Sequence, residues 1–355
     1  MSLDIAPMNI TSFGKALHIE ANTLYTWYKD VLSDYARDQG ASVHENDVKT
    51  KTKTIEVPIF EEKNIGEKMA IDEKQIGEDV CTIMSNRETG KIAMVCRSIK
   101  FKEINSVLKE HKNVLSKVKS LTRDFSMLYK KVGDEIFSDA TQIIDKFHVI
   151  KNLMEAHQDV RVKHRQKELD KRRKAHKEFK EAEKQRLYEC ERAGKDFKPK
   201  KFHYYQHRHE NSETTLELLA RSRYLLFKFE SQWTAKQKHR AQILFKTFPE
   251  IEKSYQLTCR FRDLLSKKNI GKNYIQITKQ LFQWYDDVED AQIDELLNFK
   301  TLVEINEDNI LNYFINGETN AMAEAINRNI QKFISSNQGT RHRDFFFFRL
   351  KLYFA

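Results

Sequence analysis

Hydrophobic and polar positions change rhythm several times along this chain, and each change predicts an element. Ser12 to Tyr28 reads as two short helices around a tight turn, with Gly14 where the helices approach and His18 at the turn. Leu24 and Trp27, three apart, would pack the second helix on the first. The rhythm then shortens to two. Thr52–Pro58 alternates like a strand. Lys68–Glu73 is a short apolar strand carrying an acid, and Glu78–Met84 and Lys91–Ile99 are β-rich runs joined by a turn at Asn86–Gly90. Ile104, Val107, Leu108, Val114 and Leu115 return to helical spacing. Lys117–Thr122 predicts a strand ending at Asp124, Phe125–Phe137 an amphipathic helix, and Thr141–Ile144 a strand ending at Asp145. From Phe147 to about Ile315 the pattern is helical throughout. The chain closes with a helix over Glu318–Ser335, a turn at Gly339 and an aromatic helix over Asp344–Phe354, whose Phe345–Phe348 run predicts burial on every side.

Composition narrows the class. The chain has 355 residues, 40% of them hydrophobic, so it can build a sizeable core. Gly and Pro are scarce, at 10 and 4, which excludes a large all-β sandwich. No apolar run has the length of a membrane span, and Met1–Leu17 lacks the pattern of an export signal, so a cytoplasmic protein is expected. Cys81, Cys96, Cys190 and Cys259 are too scattered for a zinc knuckle or a disulfide framework. No glycine loop for nucleotide phosphates occurs.

Charge adds a partner. The net charge is +10, and Arg161–Glu210 alone carries 18 Lys/Arg against 9 Asp/Glu. Lys171, Arg172, Arg173 and Lys174 are consecutive, with Lys163, Arg165, Lys167 and Lys177 around them. So local an excess points to nucleic acid. Glu168, Glu178, Glu181 and Glu183 leave open a merely solvated helix. Phe197, Phe202, Tyr204 and Tyr205 fit packing anchors better than base-stacking groups. In the N-terminal helix pair, Asn22, Thr23, Tyr25 and Thr26 would face a DNA groove if the pair is a helix-turn-helix reader.

The element order β-β-β-α-β-α-β is that of the ribonuclease-H-like fold: an antiparallel meander, then two right-handed crossovers adding parallel strands. In that arrangement, one acid on the first strand and another ending the fourth face a common edge, because neighbouring strands lie ~4.8 Å apart. Such acids suit phosphoryl chemistry with two divalent ions. Asp72 fits the first place. Asp124 and Asp145 compete for the second, and geometry favours Asp124, since the strand before Asp145 lies one strand farther away. Glu73 points to the opposite face. His148, three residues after Asp145, suits a structural or phosphate-contacting role better than metal ligation.

Ala70-Ile-Asp-Glu, Arg123-Asp124, Ile144-Asp145-Lys-Phe-His148-Val-Ile-Lys and Thr319-Asn-Ala-Met-Ala-Glu324-Ala-Ile-Asn327 occur in this order. Together with the aromatic tail, they resemble the ISL-three-like group of DDE-type insertion-sequence transposases over residues 68–355. The resemblance implies that Glu324, rather than Glu318, completes a triad with Asp72 and Asp124, holding Mg²⁺ or, in substitution, Mn²⁺. It implies cutting and joining of double-stranded DNA at terminal inverted repeats and target sites, by a homo-oligomer on DNA in a bacterial, nucleoid-associated setting. Members of the group often carry an N-terminal cysteine-rich zinc module. None precedes Cys81 here, so end recognition would be shortened or supplied by a separate polypeptide.

The expected architecture is α/β: a ribonuclease-H-like mixed sheet of three antiparallel and two parallel strands. Residues 1–45 would form the helix-turn-helix-like unit and 46–150 the first part of the catalytic domain. An all-helical basic insertion would follow over 151–316, and the final catalytic helices over 317–355. A nuclease or resolvase that cuts without joining, and a non-catalytic DNA-binding protein derived from a transposase, remain as alternatives.

Overall fold

A computed structural model describes residues 10–33, 35, 59–271, 273–316, 321–336 and 343–354. The strand expected at Thr52–Pro58, the turn at Gly339, and Glu318 lie outside them. The chain divides into two compact units, Met1–Val149 with Asp308–Ala355, and Ile150–Glu307.

The first unit opens with α1 (Ile10–Leu17) and α2 (Ala21–Trp27), which runs on as a π-turn over Tyr28–Leu32. Between them, His18 N–H donates to Lys15 C=O and Ile19 N–H to Gly14 C=O. This pattern closes a helix through a left-handed residue, and His18 supplies it at φ 56° where glycine is usual. A Cβ on Gly14 would sit 2.7 Å from the Ile19 carbonyl oxygen. In an ordinary helix Gly→Ala gains ~1 kcal/mol. Here the clash with backbone reverses the sign: Gly14→Ala should lower the melting temperature, whereas His18→Gly should raise it by relieving ~1 kcal/mol of left-handed strain. Calorimetry of the two variants checks both directions. The packing differs from the expected Leu24/Trp27 pair. Leu24 and Tyr28 are buried, four apart, while Trp27 is 50% exposed, because the helix continues past Trp27 and brings Tyr28 onto the inner face.

The sheet comprises β1 (Ile59–Phe60), β2 (Lys68–Ile76), β3 (Asp79–Asn86), β4 (Ile92–Cys96), β5 (Ser120–Arg123) and β6 (Thr141–Ile144). Their spatial order is β1-β4-β3-β2-β5-β6. The β2–β3–β4 meander is antiparallel, and β5 and β6 add in parallel beside β2. Gly77 at φ 62° turns β2 into β3. Between β3 and β4, the Asn86 side chain accepts from the Glu88 and Thr89 amides, an Asx turn. The crossovers run through α3 (Phe101–Lys109) with α4 (Lys112–Leu115), and through α5 (Met127–Ile136). The fold is α/β. The sixth strand, β1, pairs with β4 and was not expected, being too short to alternate.

Next comes α6 (Lys146–Arg192), a helix of 47 residues. The second unit contains most of it, followed by α7 (Thr215–Arg221), α8 (Arg223–Leu226), α9 (Ala235–Thr247), α10 (Pro249–Leu264), α11 (Tyr274–Ala291) and α12 (Asp294–Ile305). Capping boxes at Thr214/Glu217 and Thr234/Gln237 start α7 and α9, and Pro249 starts α10. Phe261, Trp284 and Phe299 meet in its core, and the Trp284 indole donates to Leu257 C=O at 2.9 Å. Two expectations change. Gln292 takes a left-handed conformation (φ 50°) and splits the helix anticipated over Lys272–Phe299. Residues 195–213 are not helical but form a strap without regular structure that ends in a turn at His209–Ser212, and Pro199 and several aromatics weaken a helix there.

The chain re-enters the first unit within α13 (Glu307–Asn316), where Asn312 donates to Gln142 C=O at 3.0 Å. It ends with α14 (Ala321–Ser336) and α15 (Arg343–Phe354). One face of the sheet packs Met69, Ile71, Met84 and Leu121 against Ile104, Leu108, Tyr129 and Val132. The other packs Ile83, Ile92 and Val95 against Ile326, Ile330, Phe333, Phe346 and Phe347. Phe345 and Phe348 point instead to Tyr28 and Tyr35. The all-round aromatic character of α15 thus serves two cores at once. A buried Phe stabilises by up to ~3 kcal/mol, so this helix is a principal tie within the unit.

Candidate functional site

Strand register brings three acids to one level. Ala70 pairs with Thr122, and Thr122 with Ile143. Two residues further on stand Asp72, within β2, and Asp124 and Asp145, just past the ends of β5 and β6. Successive strands lie ~4.8 Å apart, so Asp124 neighbours both of the others.

Their surroundings differ. Asp72 is half-buried within β2, and its Oδ1 accepts from the Glu73 amide at 2.8 Å; Glu73 itself is exposed. Asp124 is also half-buried, and its Oδ1 accepts from the Ser126 amide at 2.8 Å. Burial pushes its carboxyl pKa up, and the Asp72 charge adds to this, against the Ser126 amide, His148 and Arg123. Asp145 is 4% exposed, and its Oδ1 accepts from the Phe147 amide at 3.1 Å, so it caps the start of α6. His148 Nε2, one turn on, lies 3.8 Å from Asp145 Oδ2. The three-residue spacing of Asp145 and His148 is therefore that of a cap and a first-turn partner.

Two neighbours carried no legible signal. Arg123 is 1% exposed, donating from Nε to Gln142 Oε1 at 3.0 Å and from Nη1 to the Asp124 carbonyl at 2.9 Å. It ties the strand end beneath Asp124, and Gly133 leaves the room Gln142 needs, since a Cβ there would overlap that side chain. The fully buried Tyr129 contacts Thr82 at 3.3 Å; burial, together with the charges of Glu73, Asp124 and Asp72, pushes its phenol pKa up. A single Arg or Tyr on an apolar face looks like core in any sequence.

Glu324 lies in the first turn of α14, and this helix packs on β2, which bears Asp72, and on β3. Among the described residues, no three His, Cys, Asp or Glu side chains are gathered closely enough to hold a metal ion.

The raised pKa of Asp124 has a consequence for stability. Folding favours its protonated form, so the stability it contributes is present below the ordinary carboxylate pKa and lost as pH rises through the folded value. At neutral pH the ionised group is a cost. Asp124→Asn, which keeps the acceptor for the Ser126 amide, should raise the metal-free melting temperature at pH 7, and the gain should shrink towards pH 4. Melts at the two pH values check this. A lower melting temperature at pH 7 would contradict it.

The remaining candidates are spread over both units. Lys171, Arg172, Arg173 and Lys174 are all exposed on α6. Lys171 pairs with Glu168 and Arg173 with Asp170, whereas Arg172 and Lys174 have no ion-pair partner among the described residues. Lys163 is drawn into a cluster with Glu250, Asp294 and Glu295 and is structural. On α2, Asn22, Thr23 and Thr26 are exposed, but the Thr23 amide and hydroxyl both donate to the capping Glu20 carboxylate. Tyr25 does not face outward as expected: it is half-buried, with its ring edge-on to Phe345 at 5.8 Å. No helix among the described residues is long and apolar enough to cross a membrane.

Residues 69–350 match the sequence model of a family described as transposase, the ISL-three group of the DDE class. No curated protein and no solved structure matches.

Proposed function

Since the chain belongs to the ISL-three family of DDE transposases, we propose that it cuts and joins insertion-sequence ends on a ribonuclease-H-like sheet interrupted by the helical unit Ile150–Glu307. The observation that carries this reading is the shared level of Asp72 and Asp124 on adjacent parallel strands, beside a helix bearing Glu324. Asp124 is the second acid in this reading. Asp145, equally level, has its carboxylate engaged by the start of α6 and His148, and it is two strands from Asp72.

The donor set fits a hard divalent cation. Two carboxylates, one with its pKa pushed up by burial and its neighbour's charge, offer hard oxygen ligands, and a bound cation would relieve both effects. Mg²⁺, with Mn²⁺ able to substitute, would supply activation of the attacking oxygen and stabilisation of the leaving one. Asp72, Asp124 and Glu324 would hold it. Arg123 would keep the Asp124 turn fixed, and His148 would hold the Asp145 cap or contact a substrate phosphate. The exposed Arg172 and Lys174, with their neighbours on α6, would bind DNA backbone, and Asn22 and Thr23 would face the element's ends. Joining two ends requires that they be held together, which favours a homo-oligomer on DNA.

The test is incubation of the full chain with Mg²⁺ and labelled duplex carrying its own element's ends. Nicked and joined products are expected. Nicking without joining would favour a nuclease or resolvase, and binding without either would favour a non-catalytic DNA-binding protein.

A further inference from the structure

The strap after α6 folds back along that helix and sorts its aromatics by role. The Lys200 amide donates to Glu183 at 3.0 Å, and the Arg186 guanidinium donates to Lys198 C=O and covers the Phe197 ring at 5.5 Å. Phe202 lies 4.7 Å from His176 and 5.4 Å from Phe179, with Tyr204 stacked beyond it at 6.3 Å. These three aromatics are anchors.

Tyr205 is not. From Lys201 to His207 exposure alternates: Phe202, Tyr204 and Gln206 are half-buried, while Lys201, His203, Tyr205 and His207 are exposed. Extended backbone does this, sending alternate side chains to opposite faces. The outward row is therefore Lys-His-Tyr-His at intervals of ~6.6 Å, twice the strand rise. The Tyr205 side is open to solvent at 86% exposure. Among the described residues, Lys201, His203 and Tyr205 have no hydrogen-bond, ion-pair or ring partner.

We propose that this outward row is a platform for an unpaired DNA strand, on which Tyr205 stacks a base while Lys201 accompanies the phosphates. The proposal rests on the reading that DNA is the substrate. The combination of a basic track and an aromatic face available to every base is what single-strand binding requires. A duplex keeps its base faces stacked inside and would leave Tyr205 unused. The row lies beside the Lys171–Lys174 block, Tyr204 being within electrostatic reach of Lys171, and differs from it in offering a face for a base rather than charge for duplex phosphates.

The experiment is fluorescence anisotropy of the full chain with a labelled oligothymidylate and, separately, with a duplex of unrelated sequence, without metal. Stacking is worth ~1–3 kcal/mol per base, so Tyr205→Ala should weaken oligothymidylate binding about fivefold or more and leave duplex binding within about twofold. Tyr205→Trp should retain or tighten single-strand binding. The exposed position should leave the melting temperature of both variants unchanged. Unaltered single-strand affinity in Tyr205→Ala, or an equal loss on both DNAs, would overturn the proposal. Neither probe carries element ends or is cleaved, so its failure leaves the transposase reading intact, and failure of cleavage leaves this site intact.

Discussion

Asp72→Asn and Asp124→Asn should each reduce cleavage of element ends by roughly a thousandfold or more, with DNA affinity within about threefold of the parent. Charge stabilisation by bound ions supplies several kcal/mol to a phosphoryl transition state, and each 1.36 kcal/mol is tenfold in rate. Affinity is set by Lys and Arg on phosphates, which these changes do not touch. Glu324→Gln should behave in the same way. Asp145→Asn is the discriminating control. Asn caps a helix nearly as well as Asp, so it can still accept the Phe147 amide and should retain most activity. An inactive Asp145→Asn beside an active Asp124→Asn would move the second acid to the next strand.

That discrimination was only partly legible in the sequence. The succession of elements, and the acids Asp124 and Asp145 that end two of the apolar runs, follow from hydrophobic period, whereas the spatial order of the strands follows from the ribonuclease-H-like topology that this succession matches. Register is not so readable. Nothing in the local pattern says that Ala70, Thr122 and Ile143 align, yet this alignment puts Asp72, Asp124 and Asp145 at one level. The role of Asp145 as a cap was equally hidden, since it depends on α6 beginning at Lys146. Long-range ties were invisible for a similar reason. The division of Phe345–Phe348 between two cores depends on which elements arrive on each side of α15. Charge and aromatic spacing in the strap resemble an amphipathic helix, whereas its backbone and rings bond and pack back on α6, a long-range contact that local pattern does not reveal.

The basic block makes the other large prediction, and its geometry limits the size. Successive helical residues turn by about 100°, so Lys171, Arg172, Arg173 and Lys174 surround α6 and cannot all reach one duplex. Two of them are also engaged, Lys171 with Glu168 and Arg173 with Asp170. Such exposed pairs are worth under ~1 kcal/mol and would yield to phosphate, but they reduce the net gain. The four together should therefore count as about two phosphate contacts. Each contact contributes ~0.9 to the slope of log K against log salt, so replacing all four by Ala should reduce the slope by about 1.8. The loss should be the same for end and unrelated sequences, because phosphate contacts carry no base information. Titrations of duplex binding between about 50 and 200 mM salt measure it. The face of α6 opposite the strap carries Lys167, Lys174, Lys177 and Lys184, all exposed. At 1.5 Å per residue they extend over ~25 Å, enough to follow several phosphates along one groove. If the block variant keeps the parental slope while alanines along this row reduce it, the duplex lies on the row and the four consecutive charges are only a solvated stretch of helix.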